Sequence, residues 1–218
     1  GALGIAKIDD TLPSADEEIW NGFTTGLANG RVGHSTATGF NYSNSVSDMV
    51  TVNVGFVPQG STAQGTGVVS GASTSSETSV ALTIAAMDGL TIYAGTGEKS
   101  GATIGKNDDT QVLAANYAYG PVTVGVSSTE IDSDTSSRQY DTTGYGIAYA
   151  INENLSVSYA ERTIDKGDVS VDEEQSGMSI GYSMGGMTVK AHANKLDNSN
   201  GVAGVDLEHT EIAVSFAF

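Results

Sequence analysis

The chain has 218 residues, a net charge of −17 and no cysteine. Those values exclude a disulfide framework and thiol chemistry, and they argue against nucleic acid or anionic lipid headgroups as partners. Hydrophobic residues make up 39 % and charged ones only 16 %, with 28 glycines and 3 prolines, a sparse charge density for a soluble surface.

The N-terminal GALGIAKIDD has neither a basic region nor an apolar core, so no signal peptide is expected. That leaves a cytosolic, a mature or an incomplete sequence. No apolar run approaches the length of a membrane helix. Next comes SADEEIWNGF, residues 14–23. Ser14 and Glu17 stand at capping-box spacing, and Asp16, Glu17 and Glu18 fall in a first helical turn, where the helix dipole favours acids. Ile19, Trp20 and Phe23 give that short helix an apolar side.

From residue 34 the pattern changes to a period of two, the signature of strands. A strand over 34–43 comes first. Val50, Val52, Val54 and Phe56 then alternate with Thr51, Asn53 and Gly55. Val80, Leu82 and Ile84 follow, then Leu113, Ala115, Tyr117 and Tyr119, then Val122, Val124 and Val126. Tyr145, Ile147, Tyr149 and Ile151 repeat the pattern, as do Leu155, Val157 and Tyr159. Met178, Ile180, Tyr182 and Met184, then Met187, Val189 and Ala191, lead to Ile212, Val214, Phe216 and Phe218. About eleven strands are expected, each on the order of ten residues, enough to cross a bilayer when tilted.

The second phase of these strands holds Gly, Ser, Thr, Ala and Asn. A soluble sandwich would fill that phase with Lys, Glu and Arg, whereas a water-filled lumen suits small polar groups. Tyr and Phe gather near strand ends, where aromatic girdles form. Short connections (44–48, 87–89, 119–121, 152–154, 184–187) alternate with long ones (57–78, 97–110, 128–141, 165–174, 195–207). Transmembrane barrels sort their turns this way, and a sandwich has no reason to. The expected fold is therefore an all-β transmembrane antiparallel barrel. The alternation puts 9–30 on the outer side and Phe218 at the periplasmic rim. A Ser/Thr/Gly-rich soluble β-sandwich that binds a surface is the competing reading.

With those features in place, the chain resembles the general porins of Gram-negative outer membranes, a trimeric sixteen-stranded family. Its last strand, ending in Phe216 and Phe218, resembles the signal read by the barrel assembly machinery. GRVGHSTATGFNYSN, residues 30–44, resembles the start of the family's sixth strand, just after the loop that folds inward. GALGIAK then resembles the end of the fifth strand, with Lys7 where the family has a basic residue at the constriction. The resemblance covers the whole chain and about the last two-thirds of the family, so the sequence reads as partial. It divides a single barrel domain into a strand end (1–8), a constriction loop (9–30) and barrel strands with their loops (31–218).

The resemblance implies an outer-membrane channel that passes small hydrophilic solutes and ions by diffusion. It implies a homotrimer in the lipid bilayer and no enzymatic activity. Asp9, Asp10, Asp16, Glu17 and Glu18 would face Lys7 and Arg31 across the neck. Arg162, Lys190 and His192 fall in the lumen phase and extend the channel lining. The excess of acids suggests mild cation preference. A substrate-specific channel is the nearer alternative, but the lumen phase offers only Tyr93 for an aromatic sugar slide.

Catalytic readings fail on spacing. His34, His192 and His209 lie on separate strands without metal-ligand spacing. GTGEKSG (95–101) is not a P-loop. No local motif marks a serine hydrolase pair. No cofactor is expected; Ca²⁺ could bind loosely on the acidic outer loops at NDD (107–109) and DSD (132–134), but these lack an EF-hand ligand order and read as solvated loop acids.

Overall fold

The computed structural model describes residues 1–8, 37–58, 76–100 and 107–217. Among these residues, twelve strands form one sheet, each paired with the next in sequence. They are β1 (Ala2–Ile8), β2 (Ala37–Ser47), β3 (Val50–Val57), β4 (Glu77–Met87), β5 (Leu90–Ser100) and β6 (Asn107–Tyr119). The rest are β7 (Val122–Ser133), β8 (Tyr140–Asn152), β9 (Leu155–Lys166), β10 (Glu173–Met184), β11 (Met187–Asp197) and β12 (Leu207–Phe216). All eleven neighbouring pairs are antiparallel. A sandwich needs a second layer, and every described strand belongs to this one sheet.

Five two-residue turns close one end: 48–49, 88–89, 120–121, 153–154 and 185–186. The connections at the other end are longer. Gly120 and Gly185 have φ of +57° and +59° at the first turn position, which type II′ hairpins require and L side chains resist. The strands reach further toward the long connections than the sequence suggests. Segment 97–110 was expected as loop, yet Gly97–Ser100 pairs with Asn107–Thr110. Strand pairing likewise runs into 128–141, 165–174 and 195–207. At the opposite end Ser45 and Ser47 stay paired with β3 across a bulge, so the 44–48 connection shrinks to two residues. Apolar alternation stops where the lipid contact stops, whereas backbone pairing continues beyond it.

The two faces of the sheet differ sharply. On β6, Asp108, Thr110, Val112 and Ala114 are buried, while Asp109, Gln111, Leu113 and Tyr117 are exposed. The register carries each row across the sheet, so a face assigned on one strand assigns its neighbours. We call the row of Thr110 inward and that of Leu113 outward. The outward rows hold Val54, Val80, Leu113, Val126, Ile147, Ile180 and Ile212, all exposed. Val50, Val52 and Val54 share that face, and Thr51 and Asn53 lie on the other, paired with Thr83 and Ala81. An apolar face left exposed along a whole sheet is what a lipid-facing wall presents.

The aromatic residues outline the same face. Phe40 stacks on Phe56, and Tyr117 on Tyr119, each at 6.4 Å between ring centroids. Tyr93 is inward, packed against Val112 and Ala114. It has company that the sequence reading missed: Tyr140, in a segment read as loop, pairs with Ile131 in the inward row.

Candidate functional site

The inward face is the candidate site, because only its rows present small polar groups with charges among them. Register puts Arg162 beside Gly144 and Gln175, Lys190 beside Gly181 and Ala213, and His192 beside Ser179 and Glu211. All three belong to the inward rows. Arg162 and His192 are buried, and Lys190 is exposed. Ser158 and Ser179 share a hydrogen bond of 2.6 Å between them.

Near the long connections the inward rows carry a polar network. Glu173 is 5 % exposed. Its carboxylate accepts from Lys166 Nζ at 3.1 Å, from Gln175 Nε2 at 2.7 Å and from the Asn200 backbone N–H at 2.7 Å. Arg162 donates to the other end of Gln175. The bond from Asn200 fastens the 198–206 connection to β10. Gly201 makes this approach feasible: at φ +71°, a Cβ there would lie 2.3 Å from Val169 Cγ2. Asn198 Nδ2 also donates to the Asp172 carbonyl at 3.1 Å, so the last two long connections interlock.

Glu173 lies beyond the lipid-facing stretch of β10, whose outward apolar residues begin at Met178. Burial pushes its pKa up, but the Asn200 N–H, Gln175 and Lys166 outweigh this and leave it lowered from the ordinary carboxylate value. A lowered folded pKa contributes stability above the unfolded carboxylate range, and that contribution is lost as pH falls through the folded value. Amide exchange at Asn200, corrected for its intrinsic rate, should therefore be slow at neutral pH and accelerate in acid. In Glu173→Gln the protection should be weak at both.

Charges are partitioned between the faces. The inward rows of β3–β12 hold the acids Glu77, Asp108, Glu173 and Glu211 and the bases Lys99, Arg162, Lys166 and Lys190. Lys99 binds Glu77 at 2.7 Å, and Arg138, from a short 3-10 turn (Ser136–Arg138), binds Asp108. The outward rows hold Glu98, Asp109, Glu130, Asp132, Asp141, Glu161, Asp165, Glu174, Asp197 and Glu208, with Lys195 as the base among them. Among the described strand residues the acid excess therefore stands on the outward face, and the inward charges are balanced. The acids of 107–109 and 132–134 were expected in loops. Asp108, Asp109 and Asp132 instead lie in strands, and Ser133 Oγ donates to Asp108 at 2.5 Å. No cluster that would hold a metal ion occurs among the described residues.

Asp9, Asp10, Asp16, Glu17, Glu18, Arg31 and Phe218 lie outside the described residues, as does the helix expected over 14–23. Lys7 is in β1, where its backbone pairs with Thr38. Leu3 and Ile5 pair with Tyr42 and Phe40 in the same ladder. Phe216 pairs with Met187 and is exposed.

The fold has counterparts among solved structures. OmpT of Vibrio cholerae is 11 % identical, with a TM-score of 0.67, over 98 % of this chain and 76 % of that one. An anion-selective porin from Comamonas acidovorans is 13 % identical, with a TM-score of 0.67, over 83 % of this chain and 59 % of that one. Salmonella typhi OmpF, in complex with daunomycin, is 11 % identical, with a TM-score of 0.63, over 84 % and 62 %. No curated protein matches the sequence. A family model described as Gram-negative porin matches residues 5–201. With the outward apolar wall and the inward polar one, that match makes this chain a member of the Gram-negative porin family, the channels of the outer membrane.

Proposed function

We propose that the protein is a general diffusion porin, passing small hydrophilic solutes and ions according to size and charge. The observation that carries this is the inward face: small polar residues and balanced charges, with few aromatic rings among the described residues. A site for one sugar would need a run of such rings. We further infer that 9–30 folds inward as a constriction, with Asp9, Asp10, Asp16, Glu17 and Glu18 opposite Lys7 and Arg31. The last strand, with Phe216 and Phe218, serves as the assembly signal and ends on the periplasmic side.

In lipid the edges β1 and β12 need strand partners, because unpaired backbone groups there cost several kcal/mol each. The channel therefore works as a closed barrel, and we infer a homotrimer from its likeness to the family. Liposome swelling with neutral sugars of rising size tests the reading. Uptake should fall smoothly with size and be indifferent to stereochemistry. Saturable, stereospecific uptake would make this a substrate-specific channel, and absence of conductance in planar bilayers would sink the channel reading.

A further inference from the structure

The inward rows of β11 and β12 carry charges at the short-turn end of the wall. Lys190, His192 and Asn194 follow one another at alternate positions of β11. On β12 they face Ala213, Glu211 and His209, and on β10 they face Gly181, Ser179 and Gly177. Lys190 is thus bordered by a glycine and an alanine, and it is exposed.

The other inward bases are occupied. Lys99 and Lys166 hold Glu77 and Glu173 at 2.7 Å and 3.1 Å. Arg162 is buried and donates to Gln175. Lys190 makes no ion pair among the described residues, and the small residues beside it leave room for a hydrated ion. Glu211 is the acid closest to it by register, one row away on the diagonal. That carboxylate stands 3.5 Å from His209 Nε2 and directly across from His192, whose Nδ1 has no partner among the described residues.

We propose that Lys190 and Glu211, with His192 and His209 beside them, form a charge-sorting site on the channel wall, separate from the constriction. Lys190 draws small anions such as carboxylates and phosphates, and Glu211 opposes it. The inference rests on the channel reading. His192 faces Ser179 on β10 and Glu211 on β12, with Lys190 and Asn194 on its own strand.

The test is the reversal potential of the purified protein in a planar bilayer under a potassium chloride gradient. A unit charge about 7 Å from the ion path in water is worth roughly one RT, with opposite sign for the two ions, so Lys190→Gln should lower the chloride-to-potassium permeability ratio about sevenfold. Glu211→Gln should raise it similarly, and Lys190→Arg should leave it unchanged. Heat-modifiable migration on a detergent gel shows that each variant is folded. Parent-like ratios in both Lys190→Gln and Glu211→Gln, or equal shifts in Lys190→Gln and Lys190→Arg, would overturn the proposal while leaving the channel reading intact. A parent that does not conduct would overturn both.

Discussion

Replacing Ile147 with Arg is expected to cost roughly 2–4 kcal/mol of folded stability in a bilayer, and replacing Ala148 with Arg to cost far less. The two positions are adjacent in sequence, so β propensity and strand context are nearly the same. They differ in face. Ile147 lies in the outward row between Val124 of β7 and Tyr159 of β9. Along its own strand it is flanked by the outward Tyr145 and Tyr149, so it sits well inside the apolar band. A guanidinium there must leave water or drag water into the hydrocarbon. Ala148 lies in the inward row between Thr123 and Ser158, where an arginine side chain meets small polar groups and lumen water. Urea titration in phosphatidylcholine vesicles, read by gel mobility, measures both. Equal costs at the two positions would mean that the faces are wrongly assigned.

The face assignment was legible in the sequence because it depends only on period two. The same is true of the five short turns, which the strand ends and their Gly, Asn and Asp residues mark. The limits of the long connections were not. Asn107–Thr110 has no apolar alternation, yet its backbone pairs on both sides, and its inward Asp108 and Thr110 are buried all the same.

The pairs Lys99–Glu77 and Lys166–Glu173 were beyond reach for another reason. Each depends on which residues the register brings together, and a net charge of −17 says nothing about that. The acid excess on the outward face was readable in principle, since Asp109, Asp132, Asp141 and Asp165 keep the outward phase of their strands. It went unread because the strands were ended too early.

Replacing Arg31 with Ser is expected to make the channel more cation-selective, and replacing Glu17 and Glu18 together with Gln to make it less so. The proposed neck is narrow, so an ion passes within about 5 Å of its charged groups, where each unit charge is worth roughly 1 kcal/mol in bulk-like water and more where water is displaced. That energy has opposite sign for anion and cation, so a factor of roughly 15–30 in the permeability ratio is expected for each charge removed, larger than the effect at Lys190. Opposed acids and a base also set up a transverse field that orders water and orients polar solutes. Neither set is comfortable alone in a partly desolvated neck, so each steadies the other. Ile19, Trp20 and Phe23 would hold the segment against the wall by burying about 1.5–3 kcal/mol of apolar area per side chain. If the two proposed sites act in series, the effect of Arg31→Ser should add, on a logarithmic scale, to that of Lys190→Gln. Reversal potentials of the single and double variants decide between two filters and one. If the Arg31 and Glu17/Glu18 variants match the parent while Lys190→Gln does not, the wall alone sorts charge, and the acidic turn at 14–23 is only a well-capped helix.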